Sequence, residues 1–311
     1  MLKQGISVVV PVFNSQDSLP LLVKRLQPVL IASDTQFEVI LVDDCSKDAS
    51  WAGITALAEE HEWVRGIRLM RNFSQHNALL CGIRAAQFDV IVTLDDDLQN
   101  PPEEIPKIVS RLREGFDVVY ARPAQEQHGV LRDLASMLTK IALQSAMGAE
   151  TARQVSAYRA FRTQLRDAFV NYRGPYVSID VLLTWGTTRF SAVTVRHDQR
   201  TIGRSGYTLG KLIRHAMNMM TGFSTFPLQV ASIVGFFFTF FGVGVLTYVL
   251  GRYFMYGSTV AGFPFLASVI AIFSGAQLFA LGIIGEYLAR MHFRTMDRPP
   301  YAVRDAITNE N

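Results

Sequence analysis

Asp89-Val90-Ile91-Val92-Thr93-Leu94 runs directly into Asp95-Asp96-Asp97, and Leu98-Gln99-Asn100-Pro101-Pro102-Glu103 follows. The first half reads as a buried β-strand, because apolar and β-branched residues dominate it. Three adjacent carboxylates repel one another. A chain that sets them where a buried strand ends calls for a cation to hold. In an open α/β sheet, ligands bind at the carboxyl ends of the strands. The stretch therefore points to a metal-assisted reaction on a phosphorylated substrate.

Similar runs lie on either side. Ile6–Val12, Phe37–Val42, Gly66–Met70 and Asp117–Tyr120 read as strands. Between them, about Ser18–Ser33, Asp48–His61, Gln75–Gln87 and Pro102–Glu114 show helical patterns. Pro101-Pro102 with Glu103-Glu104 marks a helix start, where proline fits the first turn and acids suit the dipole. The alternation predicts an α/β, Rossmann-like, mostly parallel sheet with helices on both faces. Further on, about Val130–Ala146 predicts a helix, and Tyr158–Phe161 and Ser191–Val195 predict strands. Arg200–Gly210 is a glycine- and arginine-rich loop. Leu209–Met220 is an amphipathic helix with Lys211, Arg214 and His215 on its polar side, suited to a membrane surface.

Charge then disappears. Ala216–Gly251 contains no Asp, Glu, Lys or Arg, and after Arg252 neither does Tyr253–Gly285. Each stretch exceeds the ~20 apolar residues of a membrane helix. The predicted spans are about 227–250 and 263–287. Arg196, Arg200, Arg204, Lys211 and Arg214 precede the first span, and Arg290, Arg294, Arg298 and Arg304 follow the second. The positive-inside rule then puts both termini and the catalytic half in the cytoplasm. The expected organisation is a catalytic domain over 1–208, a juxtamembrane helix over 209–226, a two-helix membrane hairpin over 227–288 and a cytoplasmic tail over 289–311. The N-terminus shows no signal-peptide pattern. A net charge of +3 is too small to argue for nucleic acid. Cys45 and Cys81 provide neither a disulfide framework nor metal spacing.

Polar residues end the first four strands: Pro11-Val12-Phe13-Asn14, Asp43-Asp44-Cys45-Ser46, Arg71-Asn72 and the acid triplet. All fall at one sheet edge and can converge on one ligand. No G-x-G-x-x-G and no P-loop occurs, which disfavours a dinucleotide site or a P-loop site. Asp43 and Asp44 either cap the helix near Asp48 or accept hydrogen bonds from a base or ribose. Asp95 and Asp97, two apart, project to the same side of an extended chain. With Gln99 they could grip Mg²⁺ or Mn²⁺ while a diphosphate supplies further oxygens.

The run Asp95-Asp96-Asp97-Leu98-Gln99-Asn100-Pro101-Pro102-Glu103 resembles the D-x-D-L-Q-[DHN]-P-P-E signature of polyprenyl-phosphate glycosyltransferases, within glycosyltransferase family 2. Gln75-His76, Gly285-Glu286-Tyr287 and Arg298-Pro299-Pro300-Tyr301 fit the same group. The resemblance implies a GT-A fold and an inverting transfer from a nucleotide-sugar, a UDP-sugar above all, to undecaprenyl phosphate. It places the enzyme at the cytoplasmic face of a bacterial inner membrane, in envelope or lipopolysaccharide synthesis, and as a homo-oligomer, a tetramer. It assigns Pro11, Val12, Asn14, Asp43, Asp44, Arg71 and Asp96 to the nucleotide. Asp95, Asp97 and Gln99 go to the metal, with Arg122 and Arg200 joining Asp95 and Asp97 in catalysis. Arg122, Arg132, Ser136, Arg200, Arg204 and Ser205 go to the acceptor phosphate.

Three departures stand out. The family has Asn-Glu where this chain has Asn14-Ser15. Its Ser-Lys pair is replaced by Arg204-Ser205-Gly206. Thr151–Arg166 contains no acid, although many members carry one before the strand with Arg159. A polyprenyl phosphate is already anionic near pH ~7 and needs no general base. It needs orientation, which arginines give, and a neutralised leaving group. Transfer to another lipid or a polysaccharide, and a non-catalytic scaffold beside a flippase, are the competing readings. The intact triplet with Gln99 argues against the scaffold.

Overall fold

The computed structural model describes residues 2–123, 147, 154–174, 177–198, 226–257, 263–296 and 298–308. The predicted helices over 130–146 and 209–220 and the loop over 200–210 lie outside them. The first half alternates β1 (Lys3–Val12), α1 (Leu19–Ile31), β2 (Phe37–Asp43), α2 (Ser50–Glu60), β3 (Val64–Leu69), α3 (Gln75–Ala85) and β4 (Phe88–Thr93). A short 3₁₀ turn at Pro102–Glu104 leads into α4 (Ile105–Arg113), then β5 (Val118–Pro123) and β6 (Arg159–Arg162). After the 3₁₀ segment Thr163–Phe169 come α5 (Ile179–Thr184), β7 (Phe190–Val195), α6 (Phe226–Tyr256), α7 (Phe263–Thr295) and β8 (Val303–Ile307).

The strands form one sheet in the order β7-β5-β6-β4-β1-β2-β3-β8. β1 pairs in parallel with β2 and with β4, β2 with β3, and β5 with β7. β6 runs antiparallel between β4 and β5, and β8 antiparallel along β3. Strands covered on both faces must be apolar throughout, and β1 is buried from Ile6 to Val12. Its alternate residues face different helices. Val8, Val10 and Val12 pack with Leu22 and Leu26 of α1, Ile54 of α2 and Ile108 of α4. Val9 packs with Leu79, Leu80 and Ile83 of α3 and Leu182 of α5.

α3 approaches the sheet closely because Gly82 leaves room. A Cβ there would stand 2.4 Å from Val9 Cγ1 and 3.1 Å from Val42 Cγ2. This contact brings the N-terminus of α3 over the ends of β2 and β4.

The two long helices are longer than the predicted spans. At 1.5 Å per residue each runs ~45–50 Å, against a hydrocarbon core of ~30 Å. Phe236, Phe237, Phe240 and Phe241 point outward. Phe273 of α7 packs on Phe238 and Phe241 of α6, where Gly242 permits close approach. The pair forms an apolar hairpin with two helices able to cross a membrane. Glu286 pairs with Arg290 one turn on. The segment expected as a tail supplies β8, in register from Gly66↔Ile307 to Leu69↔Val303. The open edge of β3 demands a partner, and the tail satisfies it.

Gly82→Ala should destabilise the full chain by about 1–3 kcal/mol through overpacking against Val9. Thermal unfolding of the purified protein in detergent would show this as a lowered Tm, whereas Gly53→Ala, inside α2 where a Cβ meets nothing within 4 Å, should keep or raise Tm.

Candidate functional site

In the strand order, β1 lies between β2 and β4, and the direction of winding reverses between β1 and β4. The crevice outside the carboxyl ends of these two strands is the ligand-binding position of such a sheet. Asp96 bridges it, accepting hydrogen bonds from Phe13 N at 3.3 Å and from the Ser15 hydroxyl. Ser15 stands where the resembling family carries Glu, and its role here is to hold Asp96.

The loops around the crevice are laced together. Asn14 Oδ1 accepts Lys47 N at 2.8 Å, and Asn14 N donates to Ser46 Oγ at 2.9 Å. Asp43 Oδ1 accepts Ser46 N at 3.0 Å, and its other oxygen faces Arg68 Nε at 3.5 Å. Asp44 accepts Phe73 N at 2.7 Å and Ser74 N at 2.9 Å, fixing the turn before α3. Burial pushes Asp44 up to about 6, with Asp43 adding to the rise and those two backbone bonds opposing it. Neither acid caps α2. Asp48 does that, through Ser50 N at 3.0 Å. Four of these loops turn on a non-glycine residue at positive φ: Asn14 (55°), Cys45 (59°), Ser74 (89°) and Leu98 (62°).

The triplet departs from the extended geometry expected of it. β4 ends at Thr93, and Asp95-Asp96-Asp97 enter a turn completed by Leu98. Asp97 Oδ1 accepts Gln99 N at 3.1 Å, and the Gln99 carbonyl accepts Asp198 N at 3.0 Å. Asp95 accepts Gln75 Nε2 at 2.6 Å. Burial first, then repulsion from Asp97 and Asp96, pushes Asp95 up to about 7, while Arg159 and Gln75 oppose the rise. Burial also raises Asp96, against its bonds to Ser15 and Phe13. An all-oxygen set under such repulsion fits a hard divalent cation. Among the described residues no three His, Cys, Asp or Glu side chains form a metal cluster, so such a cation would draw further oxygens from its ligand.

One buried element escaped sequence reasoning. Arg159, on β6 opposite Thr93 and Tyr120, is 1% exposed and paired with Asp180 at the start of α5. Tyr120 Oη donates to the same carboxylate at 3.1 Å. Their separation of 21 residues leaves no local motif to find. His76, beside Gln75, accepts Ile179 N at 3.4 Å and so packs α3 against α5.

Pro11, Val12, Asn14, Asp43, Asp44, Asp95, Asp96, Asp97 and Gln99 thus gather at one edge. Arg71 is exposed there, its guanidinium 4.4 Å from the Phe73 ring. Arg122 is half-buried near the end of β5, which runs parallel to β4. Arg132, Ser136, Arg200, Arg204 and Ser205 lie outside the described residues.

Residues 7–170 match the family model described as glycosyl transferase family 2. The chain is 35% identical over 308 residues to undecaprenyl-phosphate 4-deoxy-4-formamido-L-arabinose transferase of Yersinia enterocolitica serotype O:8, covering 98% of this chain and 94% of that one. It is 34% identical over 305 residues to the transferase of the same name from Klebsiella pneumoniae, covering 97% and 93%. Among solved structures, it is similar to glucosyl-3-phosphoglycerate synthase from Mycobacterium tuberculosis, crystallised with Mn²⁺, UDP and glucosyl-3-phosphoglycerate. The TM-score is 0.53 at 20% identity, over 70% of this chain and 79% of that one. That likeness establishes the GT-A-like fold.

Arg159→Met should destabilise the protein by about 3–5 kcal/mol, because it strands the buried Asp180 carboxylate. Denaturant unfolding would measure this, and Arg159→Met combined with Asp180→Leu should recover much of the loss.

Proposed function

The chain belongs to glycosyl transferase family 2, and from that premise we propose that it transfers a sugar from a nucleotide-sugar, a UDP-sugar above all, to undecaprenyl phosphate at the cytoplasmic membrane face. One juxtaposition carries this reading. An acid-lined crevice at the β1/β4 switch point belongs to the same sheet that receives the chain back from an apolar hairpin. With β7 and β8 in one sheet, the described chain leaves for the hairpin and returns from it on one side of the membrane. The arginines flanking the spans support the cytoplasm as that side. The near full-length likeness to undecaprenyl-phosphate transferases supports the acceptor.

In this reading Asn14, Asp43, Asp44, Arg71 and Asp96, with the Pro11-Val12 backbone, cradle the nucleotide. Asp95, Asp97 and Gln99 hold Mg²⁺ or Mn²⁺, which when bound neutralises charge on the leaving diphosphate. Arg122, Arg132, Arg200 and Arg204, with Ser136 and Ser205, orient the acceptor phosphate bidentately. A phosphate oxygen then attacks the anomeric carbon as its bond to the diphosphate oxygen breaks, inverting the centre in one displacement. No residue needs to take a proton. The pairing of Asp180 with Arg159 and Tyr120 supports this, since the acid at the start of α5 is already committed. Positioning and electrostatics supply the acceleration. The product lipid would feed envelope glycan synthesis or modification.

Incubating the wild-type protein with undecaprenyl phosphate, Mn²⁺ and a panel of labelled UDP-, GDP- and dTDP-sugars should carry label into the organic phase from one donor. No transfer from any donor would sink the reading. Asp97→Ala should abolish that transfer, by at least ~100-fold in kcat.

Because the Asp95 carboxyl sits near 7, protons compete with the cation. Mn²⁺ affinity should be full above that pH and fall as pH drops through it, by up to about tenfold per unit. Titration calorimetry at several pH values would test this, and Asp95→Asn should flatten the dependence.

A further inference from the structure

We propose that the segment after the second apolar helix is a height-setting strap, with Asn77 as its positioning residue. It fastens the end of the membrane hairpin to α3 and so fixes how far the acid-lined crevice stands from the bilayer. The inference rests on the lipid-phosphate reading above and deepens it.

α7 ends at Thr295, and Pro300 is already bound to Asn77 of α3. Even fully extended, five residue steps span no more than ~17 Å. The α3 surface therefore cannot move farther than that from the end of α7. The polar layer of a leaflet is itself ~5–8 Å thick. A tether of this length holds the crevice within reach of a phosphate at the headgroup plane. A longer one would let it drift away and dilute the effective acceptor concentration.

The strap is also bonded to the residues that build the crevice. The Pro300 carbonyl accepts the Asn77 side-chain amide, and Asn77 is 2% exposed. The Asn77 Oδ1 accepts the Ser74 hydroxyl at 3.1 Å. Ser74 N is in turn one of the two donors that hold Asp44, and Gln75 holds Asp95. Asn77 thus links the strap to the turn that both acidic loops rest on. Tyr301 adds a hydrogen bond with the Cys81 thiol and lies 5.7 Å from the Arg84 guanidinium. Ala302 accepts Met70 N at 2.9 Å before β8 begins. Arg68 stands between Asp305 of β8 and Asp43.

The test lengthens the strap without cutting it. About six Gly/Ser residues inserted between Arg298 and Pro299 add ~20 Å of reach and leave the Asn77–Pro300 bond and β8 in place. Wild type and insertion variant, both full-length in lipid nanodiscs, are compared on embedded undecaprenyl phosphate and on a water-soluble, short-chain polyprenyl phosphate, using the donor found with the panel. The expected result is a fall of about tenfold or more in kcat/KM for the embedded acceptor only. Rates on the soluble acceptor and Mn²⁺ affinity should match wild type, showing an intact crevice. Asn77→Ala, which frees the strap from the Ser74 turn, should weaken Mn²⁺ binding as well, and Asn77→Gln should restore part of it. Wild-type rates on both acceptors for the insertion variant would overturn the proposal, as would an equal loss on both. A wild-type protein that labels neither acceptor would instead overturn the underlying functional reading.

Discussion

Crowded negative charge at one sheet edge is the constraint that organises this protein. Asp43, Asp44, Asp95, Asp96 and Asp97 meet where the parallel strands end, partly out of water. Each has to be satisfied by a donor, and those donors account for the local structure. Asp44 dictates the turn before α3, Asp96 ties the first loop to the fourth, and Asp97 shapes its own turn through Gln99 N. Asp95 is left with one amide donor and two acidic neighbours. That unmet demand for positive charge marks the edge as the candidate binding site.

The sheet was largely legible in the sequence, because runs such as Ile6–Val12 and Val90–Leu94 have one reading when both faces are covered. Convergence of the polar strand ends followed from the parallel topology alone. Long-range partners were not legible. Val303–Ile307 reads Val-Arg-Asp-Ala-Ile, a short mixed stretch that becomes a strand because β3 would otherwise end the sheet unpaired. α5 is six residues long and lacks a full apolar period, so its Asp180 gave no sign that it neutralises Arg159. Asp43 and Asp44 were ambiguous because capping and ligand binding use the same carboxylate chemistry. Asp48 takes the capping role, and they hold the crevice loops.

The loops at the crevice hold conformations that cost free energy. Four left-handed, non-glycine residues sit there, one after each of the first four strands. Such positions persist only where surrounding bonds over-determine them. Here the bonds are mutual, running from the first loop to the second and fourth, and from the second to the third. The four crevice loops therefore brace one another.

β8 also imposes an order on how the protein is made. Its partner, β3, leaves the ribosome more than two hundred residues earlier. Until β8 is synthesised, one edge of the sheet stays open and Asn77 lacks its carbonyl. If the two apolar helices span a bilayer as proposed, the β8 residues can reach β3 only when the number of crossings is even. A hairpin inserted halfway would leave the strand stranded on the wrong side. Closing the sheet is thus incompatible with a hairpin inserted halfway.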